Sequence, residues 1–205
     1  MPEITGITPQ VKDKTRCNIE VDGRFYCGMK LETVMRSRLK VGMTVTPEML
    51  SEMQLESEKR VALDKALTHI TSSMKTEKEI RSFLSRKGYL SDVCDYVVEK
   101  MKEYGFLDDM AYSVAYVGSV SGRKGRRLIA SELRRKGVSD EEIDGALETL
   151  TGETESAKRI LEKYMRGKTV DKKTLQKAYS YLIGKGFDYD TARAALAAFG
   201  ETDED

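Results

Sequence analysis

Lys-Gly recurs three times, at Lys87-Gly88, Lys136-Gly137 and Lys185-Gly186, so the glycines at 88, 137 and 186 stand at equal intervals of 49 residues. Equal intervals of that length mark a tandem structural repeat, which constrains the fold more than any other feature of the chain. Shifting the sequence by one interval aligns positions that played no part in finding it. Leu84, Leu133 and Leu182 superpose, as do Val98, Leu147 and Leu196, and Met101, Leu150 and Phe199. Upstream, Ala62, Ala111 and Ile160 align, then Leu63, Tyr112 and Leu161, then Ala66, Ala115 and Tyr164. Each copy therefore begins well before its Lys-Gly pair.

The apolar spacing within a copy is helical, as in Ile129 and Leu133 before the glycine and Ile143, Ala146, Leu147 and Leu150 after it. Glycine just past such a run is a left-handed helix stop. Thr76-Glu77-Lys78-Glu79 and Ser139-Asp140-Glu141-Glu142 fit capping boxes, in which hydroxyl and carboxylate each satisfy an orphan backbone donor. These signals predict nine helices, near 58–72, 76–87 and 91–104, then 109–119, 124–136 and 139–150, then 154–166, 172–185 and 190–199. The expected fold class is mainly α: three tandem three-helix repeats in an elongated helical array, with a small N-terminal extension containing a β-hairpin. Loops such as Gly118–Gly122 and Gly167-Lys168-Thr169 leave room for bending between copies.

The first segment does not follow the repeat. Arg16–Val21 alternates, Asp22-Gly23 signals a turn, and Phe25-Tyr26-Cys27 resumes extended structure. With Gly23 in a three-residue bulged loop, Ile19 would face Phe25, Cys17 would face Cys27, and Glu20 would lie opposite Arg24. A short helix at Leu31–Met35, a turn or strand at Val41–Val45 and a helix start at Pro47 complete this segment. The expected division is an N-terminal β-rich extension at 1–56, repeat one at 57–107, repeat two at 108–153, and repeat three with an acidic tail at 154–205.

No phosphate loop, GxGxxG, HExxH or nucleophile elbow occurs, so a non-enzymatic protein without cofactor or metal is expected. His69 is the single histidine, and its repeat counterparts Gly118 and Gly167 mark it as a helix-end residue. Cys94 aligns with Ile143 and Ala192 and is expected to pack in a core. Cys17 and Cys27 are expected to be reduced core residues, although the register above would bring them within reach of a cross-strand bond. No long apolar run and no leader-like N-terminus is present, and there is no CxxC, so a cytoplasmic monomer is expected.

Charge is distributed unevenly. The formal net charge is only +1, which excludes a uniformly basic coat and makes local clusters the informative feature. Between 122 and 137 stand seven basic residues, Arg123, Lys124, Arg126, Arg127, Arg134, Arg135 and Lys136, against one acid, Glu132. At about 100° per residue Arg123, Arg127 and Arg134 share one helix face, opposite Ile129 and Leu133. From 138 to 155 the sign reverses, with seven carboxylates and no Lys or Arg. Such charges either solvate two faces and pair with each other, or dock on a charged partner. The seven basic residues are the candidate contacts with a partner or DNA. Arg81, Arg86, Lys87 and Lys185, on the corresponding second helices, are secondary candidates.

The run Glu103-Tyr104-Gly105-Phe106-Leu107-Asp108-Asp109, then Tyr112 and Ala115-Tyr116-Val117, then Lys124–Ile129, Glu132-Leu133, Lys136-Gly137-Val138 and Ala146-Leu147, resembles the RecX family in order and spacing. The closing Lys185–Tyr189 is similar to that family's C-terminal end, and the resemblance covers about residues 58–199. It implies three tandem three-helix repeats and a cytoplasmic regulator in homologous recombination and DNA repair, which binds the RecA recombinase and its filaments on single-stranded DNA and commonly inhibits them. Copy three departs most from the pattern, with Ile183 and Gly184 standing where copy two has Arg134 and Arg135. The competing reading is a helical-repeat module acting directly on single- or double-stranded DNA, with the Arg-rich helix on phosphates. Scarce aromatics and a neutral total argue against tight autonomous binding of single strands.

Overall fold

The computed structural model describes residues 2–200, with side chains described through residue 197. The aligned position Phe199 and the acidic tail at 201–205 therefore lie outside the described side chains. Two compact units divide the chain, Met1–Asp108 and Asp109–Asp205.

The first unit opens with three antiparallel strands in the order β1 (Ile4–Pro9), β2 (Arg16–Val21) and β3 (Arg24–Lys30). The β2–β3 register differs from the expected one. Asp22 and Gly23 both take positive φ, 50° and 77°, and close a two-residue turn whose twist suits the flanking strands. Val21 then pairs with Arg24 and Glu20 with Phe25, and a bulge between Glu20 and Ile19 brings Cys27 opposite Ile19 and Cys17 opposite Met29. The bulge restores the inward set: Cys17, Ile19, Val21, Cys27 and Met29 share one core with Ile4 and Leu50. All three cysteines are free and buried. Strand β1 is an addition to the expected hairpin. Its two isoleucines, Ile4 and Ile7, are three apart because the register shifts between Ile4 and Gly6, which breaks the two-residue alternation of a regular strand.

Helix α1 (Leu31–Arg36) stands at the expected short helix, and the segment after it turns at Gly42 (φ 87°) before Thr44 bridges Glu3. Helix α2 runs unbroken from Pro47 to Ile70, although the repeat pattern alone starts its first helix only at 58. Thr46 caps it by accepting the Met49 N–H, and Pro47 needs no donor in the first turn. The 56/57 position thus falls within a continuous helix. Its two halves face different partners: Leu50 packs in the core of the sheet, whereas Ala62 and Ala66 pack against α4 (Ser91–Glu103) in the core of the first repeat.

The three repeats comprise α2, α3 (Glu77–Arg86) and α4, then α5 (Asp109–Val120), α6 (Arg126–Lys136) and α7 (Asp140–Leu147), then α8 (Glu153–Met165), α9 (Lys172–Gly184) and α10 (Tyr189–Gly200). Both expected capping boxes are present, Thr76 with Glu79 and Ser139 with Glu142. Each Lys-Gly pair ends its helix in the same way. The glycines take φ 84°, 89° and 90°. The next residue, Tyr89, Val138 or Phe187, donates its N–H to the carbonyl of Leu84, Leu133 or Leu182. That is the Schellman pattern, in which the residue after the glycine also packs on the residue whose carbonyl it bonds. Tyr89, Val138 and Phe187 are accordingly buried in the cores of their copies beside those leucines.

Among the described residues no helix is long and apolar enough to cross a membrane. No group of three or more His, Cys, Asp and Glu placed to hold a metal ion occurs among them.

Candidate functional site

The basic helix α6 begins at Arg126, two residues later than its sequence signals place it, so Arg123 and Lys124 lie in the preceding loop. The reason lies in the third copy. The Gly125 N–H donates to the Lys185 carbonyl at 2.9 Å, the Arg126 N–H to Glu153 Oε1 at 2.9 Å, and the Arg127 N–H to the Gly186 carbonyl at 3.0 Å. These would otherwise be orphan donors of the first helical turn, and Gly125 offers no side-chain cap. The approach requires glycine on both sides. A Cβ on Gly125 would come within 2.5 Å of Gly186, and one on Gly186 would come within 2.3 Å of Leu128 Cβ. The helix stop of copy three is therefore also a dock on copy two.

The same device operates in the first unit, where the sheet takes the place of a preceding copy. The Gly28 N–H of β3 donates to the Gly88 carbonyl at 2.8 Å, and a Cβ on Gly88 would lie 2.7 Å from that nitrogen. Buried Gln54 joins the pieces, donating to the carbonyls of Gly28 and Gly88 and accepting the Leu90 N–H.

The structure separates the seven basic candidates of copy two by what each touches. Lys124 is an internal strut: its ammonium lies 2.6 and 2.7 Å from the two Glu132 oxygens, and the Tyr116 hydroxyl donates to the same carboxylate at 2.6 Å. Burial alone would push Glu132 upward, but the hydrogen bonds from Lys124 and Tyr116 outweigh it and hold the carboxyl below its ordinary value. The hydrogen bond to Glu132 raises Lys124. Arg126 is also engaged within the unit, donating to the Leu147 carbonyl and lying 3.7 Å from Glu153. Arg123 reaches back to the Ser119 carbonyl at the end of α5, where a cation suits the helix dipole.

Arg127 and Arg134 are exposed and seven residues apart on α6, hence nearly on one face and about 10 Å apart along its axis. Arg127 lies 5.7 Å from the Tyr189 ring centre, and Arg134 pairs at 2.6 Å with Asp140 at the start of α7. Both groups of the latter pair are more than half exposed, so solvent screens it and a competing anion can take its place. Arg135 stands 3.9 Å from Glu132, and Lys136 lies over the Tyr112 ring. Since Arg123 precedes the helix, the expected three-arginine stripe reduces on α6 itself to Arg127 and Arg134.

The secondary candidates are likewise divided. Arg81 is held by Glu77 and Asp95 at 2.6 and 2.5 Å. Arg86 donates to the Ser82 carbonyl, while Lys87 and Lys185 lie over the rings of Phe83 and Tyr181, each one helical turn earlier. His69 sits in the last turn of α2 as expected, with its ring stacked on Phe83 at 4.0 Å. Sequence reasoning missed the buried Arg16–Glu58 pair beside Tyr89, because its members are 42 positions apart and carry no local signature.

Family models match the chain in four consecutive stretches: the "Regulatory protein RecX N-terminal domain" over residues 2–46 and the first, second and third RecX three-helix domains over 62–101, 108–147 and 152–196. A protein of Clostridium perfringens strain 13 named "Regulatory protein RecX" is 32% identical over 202 residues, covering 96% of this chain and 95% of that one. The Bacillus licheniformis protein of the same name is 30% identical and covers 96% and 77%. A solved structure described as "Crystal structure of regulatory protein RecX" superposes with a TM-score of 0.64 at 25% identity, covering 94% of this chain and 98% of its own.

Proposed function

The chain belongs to the RecX family, and from that premise we propose that it is a non-enzymatic regulator that binds the RecA recombinase filament on single-stranded DNA and inhibits its activity. The observation that carries this reading is the charge arrangement of the second repeat. Arg127 and Arg134 project from one face of α6, and Arg123 extends from the adjoining loop. The first turn of α7 presents Asp140, Glu141 and Glu142. A cationic face next to an anionic one fixes the direction in which a partner can dock, since reversing the partner sets like charges together. A filament presents such a polar surface again at every protomer, so one docked chain would obstruct either the second DNA or the exchange of protomers.

Lys124 and Arg126 serve this surface from within, by holding the loop and the helix start. Arg123, Arg127 and Arg134 make the contacts, with Arg135 and Lys136 at the end of the same helix. Arg81 belongs to the internal fabric of its repeat, whereas Arg86, Lys87 and Lys185 are available as outlying cations.

Strand exchange and ATP hydrolysis by a matched recombinase on single-stranded DNA, measured with increasing amounts of the purified protein, test the proposal. Both activities are expected to fall at substoichiometric ratios to the recombinase. No effect on either activity would contradict the regulatory reading. Steeply salt-dependent binding to bare DNA, with no added effect of recombinase, would instead favour the direct DNA-binding module.

A further inference from the structure

The first unit carries a second concentration of positive charge, drawn jointly from the N-terminal strands and the first repeat. A cleft of about 540 Å³ opens between the β1–β2 loop, the face of β2 and β3, and the end of α3. Its basic lining comprises Lys12, Arg16, Lys65, Arg86 and Lys87, against one acid, Asp13. The Asp13 carboxylate is already engaged by the Thr15 hydroxyl and N–H.

Arg16 is the anchor. Its side chain is only 5% exposed, and one nitrogen, Nη1, is committed to buried Glu58. The guanidinium also stacks 5.0 Å from the Tyr89 ring centre. The other terminal nitrogen, Nη2, is buried and without a hydrogen-bond partner. It packs closely against Gly28 of β3, where a Cβ would stand 3.1 Å from it and 2.9 Å from Gln10 Nε2. An unpaired guanidinium donor in a buried site is costly unless an acceptor arrives. Arg16 lines the cleft, and a phosphate oxygen reaching it there would supply that acceptor.

Rings flank the cations. Phe25, on the lip of this cleft, is 56% exposed despite being a large apolar side chain. An adjoining cleft of about 550 Å³ shares Lys65 and Lys87 with the first and is lined by His69 and Phe83, stacked with an interplanar angle of 5°. Burial lowers His69, so near neutral pH it presents a neutral ring. Cations with flat rings on either side suit a phosphate backbone whose bases are unpaired, because base faces are hidden in a duplex.

We propose that this cleft is a binding site for single-stranded nucleic acid, with a backbone phosphate on Arg16, Lys65 and Lys87 and an adjacent base stacked on Phe25. The site is distinct from the recombinase-docking face of α6. It supplies a direct nucleic-acid contact from basic residues that lie scattered along the chain and meet only in the fold.

The test uses the full chain without recombinase or nucleotide, so its outcome leaves the recombinase reading untouched. Anisotropy of a labelled single strand of about twenty thymidines is titrated against the parent protein and the variants Phe25→Ala, Phe25→Tyr, Lys12→Glu with Lys87→Glu, and Arg123→Glu with Arg127→Glu and Arg134→Glu. Loss of Phe25 is expected to weaken binding about tenfold with an unchanged salt slope, since stacking carries no charge. Phe25→Tyr should bind like the parent. The Lys12/Lys87 reversal should weaken binding and flatten the salt slope, by about 0.7 for each phosphate that is no longer neutralised. Inorganic tripolyphosphate should compete with the oligonucleotide equally well in the parent and in Phe25→Ala. Binding within twofold of the parent for both Phe25→Ala and the Lys12/Lys87 variant would overturn the proposal. So would binding abolished only by the α6 reversals, or equal Phe25 dependence for a duplex of the same length.

Discussion

The Arg127 N–H donates to the Gly186 carbonyl at 3.0 Å, so the residue that stops a helix in the third repeat also caps the basic helix of the second. Replacing Gly186 with Ala adds a methyl group at φ 90° and within 2.3 Å of Leu128 Cβ. Backbone strain and overpacking together should cost about 3 kcal/mol. Gly167 also has positive φ, 74°, but nothing lies within 4 Å of its missing Cβ. Gly167→Ala should cost only about 1 kcal/mol. Denaturant midpoints of the two variants check this, and equal losses would mean that Gly186 acts only as a helix stop.

Acid should weaken the loop before α6 through Glu132. Its carboxyl is pushed up by burial but pulled further down by Lys124 and Tyr116, so its folded value lies below its unfolded one. A depressed carboxyl contributes stability that is present above about pH 4.3 and is lost as pH falls through the folded value. Glu132→Gln should therefore be less stable than the parent at pH 7, by about 1 kcal/mol, and close to it at pH 3. The difference in urea midpoint at the two pH values reports the effect. An equal deficit at both would remove the charge on Glu132 from the explanation.

The three thiols should be inert in the native protein. Burial pushes the Cys27 thiol up to about 12 and the Cys94 thiol up to about 11, and it also raises Cys17. The thiolate is the reactive form, so at pH 8 native protein should titrate with a thiol reagent far more slowly than protein in denaturant, where three thiols appear. A single thiol after denaturation without reductant would contradict this and point to a Cys17–Cys27 bond.

What could be read from the sequence was local. The Lys-Gly stops and the boxes at Thr76 and Ser139 complete their hydrogen bonds within a few residues, so their spacing alone foretold three helical repeats. What could not be read depends on distant partners. Helix α6 starts at Arg126 because Lys185, Gly186 and Glu153 receive its first donors. Strand β1 was hidden by the bulge that sets Ile4 and Ile7 out of alternation. The hairpin register turned on whether Asp22 could join Gly23 at positive φ, which a short side chain permits and a motif does not decide. For the candidate surface, composition located the basic cluster in copy two. Only the contacts distinguish Lys124, bound to Glu132, from Arg127 and Arg134 on the outer face.

In the proposed function, the outer arginines of the second repeat hold this protein on a recombinase filament. Co-sedimentation with recombinase assembled on single-stranded DNA and a slowly hydrolysed nucleotide tests this most directly, comparing the parent with Arg123→Glu/Arg127→Glu/Arg134→Glu. The parent should sediment with the filament. The triple reversal, melting like the parent, should lose at least tenfold in apparent affinity, about 1.4 kcal/mol. Equal retention of both proteins on the filament would contradict the proposal.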